Sequence, residues 1–351
     1  MERKPLSYKE AGVDIDTADA AKRRMAEVLG GPRGGVLNAL GAFGSLIDGR
    51  FAGYDNPVLV LKMEEPGSKQ LLAVKHGRLE SLCRDLVHHI VNDVAVMGAE
   101  PVAMLDTIVC GKLEQEVVVG LVDGLSRACR ELGFSLVGGE TSEQPGVLEP
   151  GTYVLSAALV GVVEKARVID GSRIRPGDAL LAIASNGLHT NGYTLVRRLL
   201  TDQPALAEAP VETAAGGTEP FLEAVLRPHL CYLPGLRPVF ADSGLHGLAH
   251  ITGGGIRDNL RRILPREVDA RVDLGSIRIL PVFRTIRRAG SVPDADMLRT
   301  FNMGVGMVAV VEAGAEARIR EALAAAGYDA YALGRVEPGT GDVHFDGELR
   351  W

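Results

Sequence analysis

Apolar positions recur at helical spacing along DLVHHIVNDVAVM (85–97), where Leu86, Ile90, Val94 and Met97 share one stripe. The pattern predicts an amphipathic helix that GAEP closes through Gly98 and Pro101. The same period returns in EQEVVVGLVDGLSRACRELG (114–133): Val118, Leu121, Val122, Leu125, Cys129 and Leu132 face inward, and Gly133 suits a C-terminal cap. β-rich apolar runs read as strands: PVLVLKM (57–63), QLLAVKH (70–76), VAMLDTIVC (102–110), FSLV (134–137), YVLSAALVGVVEK (153–165) and ALLAIAS (179–185). EEPGS (64–68) between the first two predicts a hairpin or tight loop, and GGETSEQPG (138–146) a Gly-rich acidic loop. Segment 166–178 resembles a linker, 201–218 a mobile loop, and the closing PGTGDVHFDGELRW a short hairpin or loose tail. Strands and helices alternate with several strand–strand neighbours, which predicts mixed α/β (α+β) layers and not a doubly wound sheet.

The helix at 85–97 carries a second pattern. Asp85, His89, Asn92 and Asp93 fall at i, i+4, i+7 and i+8, opposite the apolar stripe. A solvated face is the plainer reading of that set alone. Glu140 follows Gly138 and Gly139, where a carboxylate after a Gly-Gly turn could hold a hard cation. His189-Thr190-Asn191-Gly192 lies between a strand and a helix, so Thr190 or Asn191 would cap that helix and its free amides would suit an anion. Thr252-Gly253-Gly254-Gly255 precedes another helix and offers a second phosphate cradle.

Composition narrows the choice. The 351 residues carry 38 Lys and Arg against 45 Asp and Glu, a formal charge of −7, which argues against binding a phosphate backbone. With 5% aromatics there is no stacking platform for nucleic acid. No apolar run approaches the roughly 20 residues of a bilayer span, and the first residues lack the apolar core of a secretory signal. Four scattered cysteines, Cys83, Cys110, Cys129 and Cys231, without a CxxC pair, fit a reducing cytoplasm.

The strings SYKEAGVDIDTADA, VNDVAVMGAEP, LVGGETSEQPG, ALVGVVEK, GLHTNGYTLVR, HITGGG and RTFNMGVGM occur in that order. On them the chain is identified as resembling the phosphoribosylformylglycinamidine cyclo-ligase (aminoimidazole ribonucleotide synthetase) family, from about Ser7 to about Gly334. The resemblance implies a two-domain AIR-synthase-like fold. Residues 1–167 would form an ATP, metal and dimerisation domain whose sheet pairs across a homodimer barrel. Residues 168–351 would form an α/β sandwich on the substrate side. It also implies ATP-dependent ring closure of a small-molecule ribonucleotide in purine biosynthesis, with Mg²⁺.

Residue by residue, the resemblance puts Glu64, Asp93 and Glu140 on the metal, and Glu64, Gly67, Ser68, Lys69, Asp93, Gly138, Gly139 and Glu140 about the nucleotide. His189, Thr190, Asn191, Gly253, Gly254 and Gly255 match the substrate side, and Lys69, His189 and Asn191 the catalytic group. His246 and His250 read as core or supporting histidines. Where the family's ATP loop reads TDGVGTK, this chain has Met63-Glu64-Glu65-Pro66-Gly67-Ser68-Lys69, with Lys62 and Lys75 nearby as candidate compensating cations. That departure, with Cys83, Val154 and Ala158 at other family positions, leaves an alternative: a divergent paralogue that binds a nucleotide without efficient ring closure. Another ATP-using relative, such as a selenophosphate synthetase or a thiamine-phosphate kinase, is a third reading.

Overall fold

The computed structural model describes residues 12, 14–30, 35–38, 42–213 and 216–351. The N-terminal arm through residue 11, parts of the Gly-rich stretch before residue 42, and residues 214–215 of the expected loop lie outside them. In the first half the elements are α1 (Ile15–Leu29), β1 (Pro57–Glu64), α2 (Lys69–Lys75), α3 (Leu79–Ala95), β2 (Glu100–Cys110), α4 (Gln115–Glu131), β3 (Ser135–Glu143) and β4 (Tyr153–Glu164). The second half begins with β5 (Ala179–Ala184), α5 (Tyr193–Asp202), β6 (Pro210–Glu212), β7 (Thr218–Pro220), α6 (Phe221–Leu226), α7 (Leu233–Leu236) and β8 (Leu245–His250). It ends with α8 (Gly255–Arg261), β9 (Val268–Asp273), α9 (Pro281–Gly290), α10 (Asp294–Thr300), β10 (Val305–Val311), α11 (Glu316–Ala325), β11 (Ala330–Pro338) and β12 (Val343–Asp346).

Two sheets organise this mixed α/β chain. The first runs β1-β4-β2-β3; its pairs are antiparallel except β2 with β3, which α4 joins as a crossover. Helix α3 packs on the inner face of β1, β4 and β2, with α4 beside it and α1 against α4. Val58, Val60, Lys62 and Glu64 point inward from β1, while Leu59, Leu61 and Met63 lie bare on the outer face. The second sheet runs β12-β9-β11-β5-β10-β8. Strands β8 and β10 are buried at every position, so both faces of that sheet are covered there.

Both helical stripes hold: Leu86, Ile90 and Val94 are fully buried, as are Val118, Leu121, Leu125 and Cys129. Five expectations change. QLLAVKH is helix α2, because Gln70, Leu72 and Ala73 are buried while Leu71 faces solvent, a helical and not an alternating pattern. The GGET segment continues strand β3 instead of turning: Gly139 lets the Asp106 side chain lie across it, where a Cβ would collide. Segment 166–178 docks, with Ile169 donating its amide to the Met97 carbonyl (3.1 Å) and Ile174 buried. Segment 201–218 holds a short 3₁₀ turn and the start of the β6–β7 hairpin, anchored by buried Val211. The C-terminal segment adds β12 to the sheet edge, parallel to β9.

Candidate functional site

The polar face of α3 is not solvated; it is the seam between the two sheets. Residues 229–232 cross it outside any helix or strand, so their backbone groups must be satisfied by side chains. Asp85 Oδ1 accepts from the His229 amide (2.8 Å), His88 Nδ1 meets the His229 carbonyl (2.5 Å), and Asn92 bonds both the Leu230 carbonyl (2.8 Å) and the Tyr232 amide (2.7 Å). Asp85 and Asn92 are fully buried.

At the open end of this face two of the expected metal acids converge. Lys62 Nζ stands 3.0 Å from Glu64 Oε2 and 2.9 Å from Asp93 Oδ2. Burial is the largest single influence on Lys62 and lowers its pKa, but the two carboxylates together outweigh it and raise the value. Burial likewise would raise Asp93, yet the His250 hydrogen bond (2.8 Å), His89 and Lys62 hold it well below the usual carboxylate range. His89 closes the cluster, its Nε2 3.8 Å from Glu64 and 3.9 Å from Asp93. Its Nδ1 hydrogen-bonds Thr190 Oγ1 at 3.0 Å. One imidazole thus ties the carboxylate pair to the 189–192 loop.

Glu140 does not join them. Glu64, Ala157, Asp106 and Gly139 form one inward rung across the sheet, three strand spacings or about 14 Å from end to end. The next residue, Glu140, therefore points to the opposite face of β3, where with Ser45 and Thr107 it lines one side of a cleft of about 610 Å³ that also reaches Asp106, Gly139 and α1. Gly138 and Gly139 lie beside it, away from the carboxylate pair.

Lys69 is also placed differently from a phosphate-contacting lysine. It is fully buried, and its ammonium donates to Asp85 Oδ1 (2.7 Å) and to the carbonyls of His189 (3.2 Å) and Arg227 (2.7 Å). Lys69 is the bolt of the seam.

Of the remaining predicted residues, Gly67, Ser68, Thr190, Asn191 and Gly253 do meet. Ser68, Thr190, Asn191 and Arg198 line a groove of about 580 Å³. Gly67, at φ 59°, passes so close to the Thr190 carbonyl that a Cβ would lie 3.3 Å from it. Gly253 abuts Asn191 in the same way, and the buried Asn191 Nδ2 has no hydrogen-bond partner, leaving a donor for an incoming acceptor. Gly192, not Thr190 or Asn191, caps α5, and it does so in the left-handed region. Gly254 and Gly255 also have positive φ, and Gly255 packs directly on the Leu298 carbonyl.

Sequence reasoning missed His229, which stacks on His189 with ring centroids 3.9 Å apart. A lone imidazole in the otherwise apolar PHLCYLP run (228–234) was the available signal. It also passed over Asp106, a buried carboxyl that burial pushes up to about 7 and that no cationic side chain pairs with among the described residues. The folded chain holds that proton up to about pH 7, whereas the unfolded chain releases it near 3.9, so Asp106 favours folding in acid and loses that contribution as pH rises through 7. Asp106→Asn should be more stable than the parent by about 1–3 kcal/mol at pH 8, with the gap closing toward pH 4, in paired urea titrations. Equal denaturation midpoints at both pH values would refute this.

Two family models match the chain: "AIR synthase related protein, N-terminal domain" over residues 55–163 and "AIR synthase related protein, C-terminal domain" over 175–347. Curated relatives named phosphoribosylformylglycinamidine cyclo-ligase include one from Sorangium cellulosum, 42% identical, covering 97% of this chain and 98% of its own length. Another, from Nitrosococcus oceani, is 39% identical over 96% of this chain and 93% of its own. Among solved structures, HypE of E. coli superposes with a TM-score of 0.68 at 17% identity, covering 94% of each chain. Thiamine-monophosphate kinase from Stenotrophomonas maltophilia gives 0.64 at 21%, over 97% of this chain and 98% of its own. These structural likenesses share the two-sheet fold.

Proposed function

The chain belongs to the phosphoribosylformylglycinamidine cyclo-ligase family, and from that premise we propose that it closes the imidazole ring of aminoimidazole ribonucleotide at the expense of ATP. The observation that carries the reading is the His89 bridge between the Glu64–Asp93 pair and Thr190, which sets a cation-binding corner beside the groove of the 189–192 loop. In the reaction the substrate's amide oxygen attacks the γ-phosphorus and ADP leaves. The amidine-side nitrogen then attacks the activated carbon, loses a proton, and inorganic phosphate departs.

The residues present fit magnesium in part. Glu64 and Asp93 are hard oxygen donors already converging on one cationic group, and magnesium is typically held by one or two carboxylates plus phosphate oxygens and water. When bound, the ion would neutralise triphosphate charge. Glu64 and Asp93 would hold it, and Lys62 would turn from them toward the phosphates. Asn191 Nδ2 and Arg198 would engage the ribonucleotide, with Ser68, Thr190 and Gly253 shaping the groove. Lys69 fixes the position of the loop by binding the His189 carbonyl. The division into a nucleotide half (1–167) and a substrate half (168–351) belongs to the same proposal, as does a cytoplasmic site of action. No helix among the described residues is long and apolar enough to cross a membrane.

Purified protein with millimolar MgATP and formylglycinamidine ribonucleotide should release ADP and phosphate in step with the aminoimidazole product. No turnover would overturn the reading.

Homodimer formation is supported by the outer face of the first sheet, where Leu59, Leu61, Met63 and Leu105 are exposed, Leu61 at 75%. Leu61→Arg should convert a dimer to a monomer in sedimentation equilibrium, and an unchanged mass would count against pairing through this face.

A further inference from the structure

Four histidines from four separate segments meet inside the seam. His189, His229 and His250 have ligand nitrogens all within 4.8 Å of one another, and His89 stands 5.3 Å, ring to ring, from both His229 and His250. The first three are at most 4% exposed. Buried polar atoms are almost always hydrogen-bonded, yet both ring nitrogens of His189 and Nδ1 of His229 have no partner.

We infer that His189, His229 and His250 form a binding site for one divalent transition-metal ion of the borderline class that favours imidazole, zinc foremost. His250 Nδ1 is oriented by Asp93 Oδ1 at 2.8 Å, the carboxylate–histidine arrangement that commonly supports a metal-bound imidazole and turns Nε2 toward the ion. That Nε2 faces His229 Nε2 at 3.0 Å. If both nitrogens carry lone pairs they repel; if His229 Nε2 is protonated its Nδ1 is left an orphan acceptor, and if His250 Nε2 is protonated His229 Nδ1 is left an orphan donor. Two nitrogens bound tetrahedrally to one zinc, at about 2.0–2.1 Å each, stand about 3.4 Å apart, so the His229–His250 pair would admit the ion after a shift of a few tenths of an ångström, while the His189 ring would have to turn out of its stack on His229 to supply the third nitrogen. Burial keeps His189 and His229 neutral, and so able to donate lone pairs. His189 is held at φ 63°, a backbone state unusual for a residue with a side chain, by hydrogen bonds to its carbonyl from Lys69 and Tyr193. That restraint keeps its ring among the others.

The donor set separates this site from the carboxylate corner. Nitrogen ligands select zinc-like ions, whereas paired carboxylates select magnesium. His89 and Asp93 come from α3 and the other three histidines from the second half of the chain, so the ion would also clamp the seam.

The test uses the full chain, freed of any affinity tag, exposed to zinc chloride and dialysed, with metal content measured by mass spectrometry. One zinc per chain is expected. Cobalt in its place should give the visible bands of a tetrahedral nitrogen-ligated ion, and zinc should raise the melting temperature reversibly on chelation. His229→Gln should lose the metal, whereas Glu64→Gln should keep it. Wild-type protein without stoichiometric zinc or tetrahedral cobalt bands would overturn the inference, as would metal content lost in Glu64→Gln and kept in His229→Gln. Should His229→Gln fail to fold, the wild-type cobalt spectrum and melting shift still decide. Turnover is not the readout, so failure here leaves the ring-closure reading standing, and the reverse holds too.

Discussion

Asp93→Asn is expected to lower MgATP-dependent turnover by about 10²-fold or more, the size of effect that follows when a charged group is displaced by about 1 Å or an ion's ligand is weakened. The substitution keeps the shape of the side chain and removes its charge. In the parent chain Oδ2 holds Lys62 at 2.9 Å and Oδ1 holds His250 at 2.8 Å, so one carboxylate serves the cation corner and the histidine cluster together. Asparagine can still accept one hydrogen bond from His250, and the fold should survive. The neutral amide is a poor magnesium ligand, and Lys62 would be left to Glu64 alone. Loss should therefore appear chiefly in kcat and in the magnesium concentration needed for half-maximal rate, with an unaltered circular dichroism spectrum. Turnover within twofold of the parent at every magnesium concentration would remove Asp93 from the nucleotide site.

How much of this corner was legible in the sequence depends on which interactions are local. Helices α3 and α4 declared themselves because their buried stripes repeat at helical period within one segment. The strings around Asp93 and Thr190 pointed to the site, and the two residues do share a histidine in the folded chain. Glu140 could not be placed from its string, since its direction depends on whether Gly138-Gly139 turns or continues, and that is set by the Asp106 side chain from a neighbouring strand. QLLAVKH misled for a related reason. Its apolar residues suit either period, and the deciding contact is Gln70 Oε1 accepting the Leu155 amide at 2.9 Å, 85 residues away. The polar face of α3 reads as solvated only until residues 229–232 are laid across it. The histidine cluster is the extreme case: its members, at 89, 189, 229 and 250, have no common spacing, and only the closing of the seam gathers them.

Closing that seam depends on Lys69, and Lys69→Met is expected to destabilise the chain by about 3–5 kcal/mol, the usual consequence of removing one partner from a buried ion pair. Asp85 would keep the His229 amide but lose its cation, and the His189 and Arg227 carbonyls would lose a donor. Burial already pushes Asp85 up to about 6 against the pull of Lys69, and without the lysine its carboxyl should hold a proton still more tightly. An acid whose folded pKa exceeds its unfolded value favours folding most below the unfolded value, and that contribution is lost as pH rises through the folded one. The deficit of Lys69→Met should therefore shrink as pH falls toward about 6, where the parent's Asp85 also takes up its proton, and change little below that. Adding Asp85→Asn should recover part of it at neutral pH, because the neutral amide leaves no uncompensated charge while its oxygen still accepts from His229. Recovery should stay incomplete, since nothing replaces the two bonds to carbonyls that bind the 189 loop and residue 227 to the first half. Urea denaturation of the parent, both single variants and the double variant at pH 5 and pH 8 would measure each step. A Lys69→Met cost below about 1 kcal/mol at pH 8, the range of an exposed pair, would mean that the seam is held by its other contacts and that Lys69 is free to serve the nucleotide.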